Sequence, residues 1–320
     1  MVPMKLRPAL KDYLWGGTRL KTQYGKESDL PIVAESWEVS CHKDGPSLVE
    51  NGPQAGMTLP QAIDALGRHC LGKRGEELPE FPVLIKLIDA KQSLSVQVHP
   101  DDAYARRVEG EPGKTEMWLV LACEPGAYLY YGFAKDMTRE EFARRIQENT
   151  LTDVLRKVEV HPGDTFFIDA GTLHAIGPGI LIAEVQQSSN STYRVYDFGR
   201  VGPDGKPRQL HIQKALDVTR LTRETRPPRP QGERESLDGY ARTLLASCPY
   251  FTALLYEAET AAPLPVNEES FLSLTVLTGE GTLVYPQGEM AIRKGESFFL
   301  PAGLGDCEIR GKCRVLACHI

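Results

Sequence analysis

The amino-acid sequence predicts a mainly β protein built as two jelly-roll β-barrels with short helical insertions. Three observations carry that expectation. Gly (29) and Pro (23) are spread along the whole chain and punctuate short β-branched and aromatic runs such as FPVLIKLI, FLSLTVL and GESFFLPAG, the texture of strands joined by turns. Helical periodicity is confined to the stretches 59–71, 101–108 and 138–158. Finally, GDTFFIDAGTLH (Gly163 to His174) aligns without gaps on GESFFLPAGLGD (Gly295 to Asp306), so one supersecondary unit is used twice.

With 320 residues, 41% of them hydrophobic, the chain can bury one large core or two ordinary ones. The N-terminal MVPMKLRPAL lacks the apolar stretch of a secretory signal, and no run approaches the roughly 20 apolar residues that cross a bilayer. The expectation is a cytoplasmic protein that inserts in no membrane. Seven cysteines without a CxxC pair suit reduced thiols better than a disulfide framework or a thiolate zinc site. A net charge of −6 without a long basic run argues against nucleic-acid binding, and any anionic ligand has to be met by a few local cations.

Taken in order, the first apolar run of interest is Val83 to Ile88, which Lys86 interrupts. An unpaired buried ammonium is costly, so Lys86 either reaches solvent at an edge or faces a polar cavity. In Ser95-Val96-Gln97-Val98-His99 the residues alternate, and a strand there places Ser95, Gln97 and His99 on one face. The segment Lys114 to Leu121 begins with charged groups and turns apolar, as a strand entering from a polar mouth would, with Glu116 at that mouth. In each copy of the echo a Gly-acid turn leads into an aromatic strand and an Ala-Gly turn ends it. The side chain three positions past the last Gly is His174 in the first copy and Asp306 in the second. That pattern is similar to the second motif of the cupin superfamily, whose His is a metal ligand, and the loss of His from the second copy predicts one metal site. Gln97, His99, Glu116 and His174 together offer one amide oxygen, two imidazoles and one carboxylate. This set suits one divalent metal, zinc first, with manganese, cobalt or magnesium as alternatives. Arg194 stands in the polar segment SSNSTYRVYDFGR, where it pairs with Asp197 or serves a site. RETRPPRPQGERES (223–236) has few apolar anchors and reads as a linker, so the expected units are 1–222, metal-binding and catalytic, and 237–320, a degenerate barrel.

SLSVQVHPDD, GKTEMW and GTLHAIGPGILIAEVQQSSNSTYRVYDFGR, with the shorter AESWEVS and LHIQKAL, resemble type I phosphomannose isomerase in its short bacterial form. The resemblance implies that Gln97, His99, Glu116 and His174 bind the metal and that Arg194 is the active-site arginine. It further implies that Lys114 and Glu184 line the substrate pocket and that Ser95 and Lys86 hold the phosphate. The implied reaction interconverts D-mannose 6-phosphate and D-fructose 6-phosphate by proton transfer between C1 and C2. Glu184, a lysine, or water activated by the metal remain open as the base. The expected partner is a small sugar phosphate, and the expected state a monomer or weak homodimer. Two rivals are a non-catalytic metal- or sugar-binding cupin protein and an iron-dependent cupin oxygenase. The first has no use for Lys86, Lys114, Glu184 and Arg194 around its metal, and the second uses a two-His-one-carboxylate set.

Overall fold

A computed structural model describes residues 1–202 and 205–320. Three antiparallel sheets dominate it. The central one runs, in spatial order, through strands Thr165–Ile168, Glu116–Cys123, Ile180–Gln187, Val83–Ala90, Glu35–Val39 and Ala9–Lys11. Facing it is a five-stranded sheet ordered Tyr193–Tyr196, Val96–Val98, His174–Ile176, Tyr128–Phe133 and Leu155–Glu159. A ten-stranded sheet takes in the C-terminal strands. The chain is therefore mainly β, as expected, although the pairings among the described residues leave open sheets where closed barrels were anticipated.

Strand alternation divides the central sheet into two faces of different chemistry. Ile85, Leu87, Met117, Leu119, Ala183 and Val185 point one way, into a core shared with Leu245, Phe271, Phe299 and Leu316 of the C-terminal sheet. On the opposite face Ile88, Trp118, Val120 and Ile182 pack with Leu129, Tyr131 and Ile176 of the five-stranded sheet. Further along these same strands, that face carries Lys86, Glu116 and Glu184. The far side of the five-stranded sheet is covered by helices Arg139–Gln147 and Ile212–Val218, whose Phe142, Ile146 and Ala215 join Val96, Val98 and Phe133. The sheet that carries the polar groups is thus braced on both sides by apolar layers.

The structure departs from the sequence expectation at two helices. The 138–158 stretch gives a helix only over Arg139–Gln147, capped by the Thr138 side chain. Asn149 then takes a left-handed φ of 56°, and Leu155–Glu159 pairs as a strand with Tyr128–Phe133. Edge pairing there overrides a helical pattern that propensity alone supports. In the 59–71 stretch the α-helix ends at Leu66 and Arg68–Leu71 forms a short 3-10 turn. The segment 101–108 is a helix from Asp102, with Asp101 as its cap.

The two copies of the echo have matching backbones. Gly163 and Gly295 both take positive φ, 98° and 86°, before the strands Thr165–Ile168 and Ser297–Leu300. Gly171 and Gly303 do the same after them, at 85° and 72°. His174 is fully buried, whereas Asp306 is exposed. The interior beside the second copy is filled by apolar side chains that include Leu264, Leu274, Phe298 and Ile309.

The first strand, Met4–Arg7, pairs with Ser297–Leu300 and joins the C-terminal sheet. A buried ionic cluster reinforces this junction. Lys26 Nζ lies 2.6 and 2.8 Å from the two oxygens of Glu38, which also accepts from Ser36 at 2.6 Å and from Ser297 at 2.8 Å. Removing one member strands the others without water, a loss of about 3–5 kcal/mol for a buried pair. Glu38→Ala is therefore expected to lose about that much stability, read from urea unfolding. A loss below about 1 kcal/mol, the range of an exposed pair, contradicts the role given to this cluster.

Candidate active site

His99, Glu116 and His174 arrive from three neighbouring strand ends and are essentially unexposed. Their ligating atoms lie within 4.8 Å of one another. His174 pairs in register with Gln97 across the five-stranded sheet, and Glu116 enters from the facing central sheet. Each imidazole donates its Nδ1–H to a backbone carbonyl, His99 to Ser191 and His174 to Thr172, both at 2.8 Å. That fixes the tautomer and leaves both Nε2 atoms as unprotonated acceptors turned toward Glu116, at 3.6 Å for His99 and 3.3 Å for His174, with Lys114 Nζ donating to that of His99 at 3.1 Å. The Gln97 amide lies 3.5 Å from His174 Nε2, and turned over it presents its oxygen to the same point.

The electrostatics are those of a cation site. Glu116 Oε1 has no hydrogen bond and Oε2 is met by the Lys114 ammonium at 2.9 Å, an expensive state for a carboxylate out of water unless a further cation joins it. Burial, opposed by Lys114, pushes its pKa up. Burial and the nearby Lys114 push His174 down to about 4, and His99 is held well below its usual range for the same reasons. Both rings are consequently neutral, the form that binds metal. Lys114 Nζ, 2.9 Å from Glu116 Oε2 and 3.1 Å from His99 Nε2, supplies the positive charge that this cluster faces. The donor set, a buried carboxylate and two imidazole lone pairs whose ligating atoms lie within 4.8 Å of one another, fits a divalent metal.

The cluster opens on a cavity of about 310 Å³ lined in part by Ser95, Gln97, Lys114, Glu184 and Arg194. All nine residues singled out in the sequence therefore come together at the metal cluster or on the walls beside it. Lys86 does not snorkel. It is buried 3.4 Å from Glu184 and 3.6 Å from Glu35, and its ammonium sits over the Trp37 ring. Burial opposes its charge, but these two carboxylates win and raise its pKa. Glu184 is its cross-strand neighbour. Trp118 Nε1–H donates to Glu184 Oε1 at 2.9 Å while Oε2 has no hydrogen bond. Burial works against the Glu184 carboxylate, yet Lys86 and Lys114 hold its pKa below the usual range.

Arg194 does not pair with Asp197, which is taken by Arg200 at 2.5 Å and Arg208 at 2.6 Å. Its Nη1 donates to the Gln209 carbonyl at 3.0 Å, and its buried Nε has no partner. The sequence reading passed over Glu35, Tyr13, Trp15, Asn190, Thr192 and Arg208, which also line the cavity. Glu35 had a signal, since it lies within AESWEVS on the same strand face as Trp37. Arg208 had none, being brought in by a loop.

Comparison with known proteins finds relatives over the full length of the chain. Residues 4–122 match the model for the phosphomannose isomerase type I catalytic domain, and residues 241–320 match that for the mannose-6-phosphate isomerase cupin domain. The chain is 36% identical over 319 residues to mannose-6-phosphate isomerase ManA of Bacillus subtilis, covering 99% of both chains. It is 36% identical over 318 residues to the mannose-6-phosphate isomerase of Streptococcus mutans, covering 99% of this chain and 98% of that one. The crystal structure of the mannose 6-phosphate isomerase from Bacillus subtilis superposes with a TM-score of 0.93 at 35% identity, covering 100% of each chain. With full-length similarity of this kind, the chain belongs to the type I phosphomannose isomerase family.

Proposed function

We propose that this protein is a metal-dependent isomerase that interconverts D-mannose 6-phosphate and D-fructose 6-phosphate. The observation that carries the reading is the His99–Glu116–His174 cluster opening on a cavity that also holds the buried Glu184–Lys86 pair. A metal or sugar store has no need of that pair, so it favours catalysis over the binding-protein rival. His99, His174, Glu116 and Gln97 would hold the metal, most naturally zinc, given two neutral imidazoles and a carboxylate. Bound there, it would supply Lewis-acid stabilisation of negative charge developing on the sugar oxygens.

The chain's own groups divide the remaining work. Glu184, kept ionised by Lys86 and without a hydrogen bond at Oε2, is placed to take the C2 proton and return it at C1. Trp118 and Lys86 fix its carboxylate and exclude water from it. Arg194 offers a planar, permanently charged fork to the enediolate. The resemblance assigns Lys86 to the phosphate, but two carboxylates already offset its charge, and a dianion there would face both of them. We therefore assign the phosphate to Arg208, which lines the same cavity and shares Asp197 with Arg200, so that two guanidiniums face one carboxylate. Ser95 stays an expected contact from the wall and Lys114 a substrate-pocket residue.

The test of the activity is a coupled assay of the metal-loaded protein with mannose 6-phosphate and with unphosphorylated mannose. A far higher kcat/KM for the phosphorylated sugar is expected, and equal values refute phosphate recognition. Arg208→Ala removes charge-assisted bonds of about 1.5–3 kcal/mol and is expected to raise KM for mannose 6-phosphate about 10–150-fold. Lys86→Ala is expected to act mainly on kcat. A KM unchanged by the first and raised by the second returns the phosphate to Lys86.

Elemental analysis checks the metal ligands. His99→Ala and His174→Ala are each expected to lose most bound metal, and full occupancy with undiminished turnover in either removes that residue from the set. Arg194→Lys keeps the charge but loses the fork, and kcat and kcat/KM are expected to fall together by about 100-fold, as when one oriented donor to a developing oxyanion is lost. A raised KM with kcat intact instead makes Arg194 a ground-state contact.

A further inference from the structure

Arg220 lies outside the cavity, two residues beyond the Ile212–Val218 helix, and neither metal ligation nor proton transfer uses it. Its guanidinium donates to Thr172 Oγ1 at 2.6 Å and to Asp169 Oδ2 at 3.1 Å, and its backbone N–H donates to the Gly171 carbonyl at 2.8 Å. All three acceptors belong to one turn, Asp169 to Thr172, which joins the strands Thr165–Ile168 and His174–Ile176. That turn governs both imidazoles. The Thr172 carbonyl accepts His174 Nδ1–H, and Gly171 N–H donates to the His99 carbonyl at 2.8 Å. Arg226 holds Asp169 from a second direction at 2.8 Å. The turn is also pressed against the helix end. Gly171 has φ of 85°, and a Cβ there would stand 2.8 Å from the Val218 carbonyl.

We propose that Arg220 is a positioning residue of the metal centre, pinning the Thr172 hydroxyl and the Gly171 carbonyl so that the Thr172 carbonyl keeps the His174 ring in its ligating tautomer and orientation. This rests on the assignment of His174 as a ligand made above. A carbonyl that receives the second imidazole N–H of a metal ligand is worth about 10–100-fold in metal affinity. The Arg220–Asp169 pair is itself nearly half exposed, at 47% and 35%, and such pairs add little to folding stability. Arg220 is thus placed to act on the metal centre far more than on the fold.

The experiment measures the zinc dissociation constant by competition with a chromophoric chelator for the parent, Arg220→Ala, Arg220→Lys and Thr172→Val, with urea unfolding of each metal-free chain alongside. Arg220→Ala is expected to weaken zinc about 10–100-fold, with the metal-free unfolding midpoint nearly unmoved. Thr172→Val, which deletes the hydroxyl but keeps the carbonyl, shifts affinity in the same direction. Arg220→Lys recovers only part of the loss, because one ammonium cannot reproduce the fork across Thr172 and Asp169. A dissociation constant within twofold of the parent in Arg220→Ala overturns the proposal, as does a loss of zinc matched by an equal loss of metal-free stability. The readout does not use turnover, so a parent that binds zinc tightly but fails to isomerise mannose 6-phosphate sinks the proposed function and leaves this inference standing. Parental zinc affinity in His174→Ala removes the ligand and this inference with it.

Discussion

The architecture depends on a carboxylate that water does not reach. Glu116 is fully buried, and a charge in that position is costly enough to be neutralised or paired. The fold meets part of the cost with the Lys114 ammonium, 2.9 Å from Oε2, and surrounds the carboxylate with metal-binding groups that cannot drift. One strand brings His174 beside Gln97, a facing strand brings Glu116 itself, and backbone carbonyls fix the remote nitrogen of each imidazole. The apolar layers on both sides keep these groups in place, since a close-packed interior does not deform by degrees.

The same alternation that exposes Glu116 to the cavity also lays out a second charged set one strand away. Lys86 and Glu184 are register partners, so their pairing follows from backbone geometry, and Glu35 reaches Lys86 from the next strand. Positive and negative charges alternate across this wall, whereas the loop around Asp197 gathers arginines in excess. Carboxylates are thus in excess around Lys86 and guanidiniums around Asp197, and a ligand with an anionic head and an uncharged reacting end is oriented by that difference before any specific contact forms.

Much of the site was legible because it is written in period-two patterns. Ser95, Gln97 and His99 announce one strand face, and the repeated Gly-acid turn marks the hairpin that ends in His174. What escaped depends on which strands become neighbours. Nothing in MKLR states that it will pair with residues 297–299, and Arg208 enters the cavity by way of a loop whose path no periodicity encodes. The helix expected through Val158 failed for a related reason, since Arg156 and Val158 fit helix and strand alike until Tyr128–Phe133 offers an edge. The expected linker is also not idle chain. Arg226 within it grips Asp169, and Arg234–Leu237 adds a strand to the C-terminal sheet.

The placement of Met4–Arg7 against Ser297–Leu300 constrains the order in which the molecule can assemble. Lys5 and Glu296, joined across that seam at 2.8 Å, stand 291 positions apart in the chain. During synthesis the first strand leaves the ribosome long before this partner exists, so its edge toward Ser297–Leu300 must wait open, with Leu48–Val49 paired on its other side, while the central and five-stranded sheets form. Closing so large a loop costs only slowly growing entropy, on the order of 0.6 kcal/mol per doubling of its length, but it comes late and makes the final step non-local and slow. Until the two strands meet, each presents one open edge, the kind of surface through which one chain can borrow the missing strand from another.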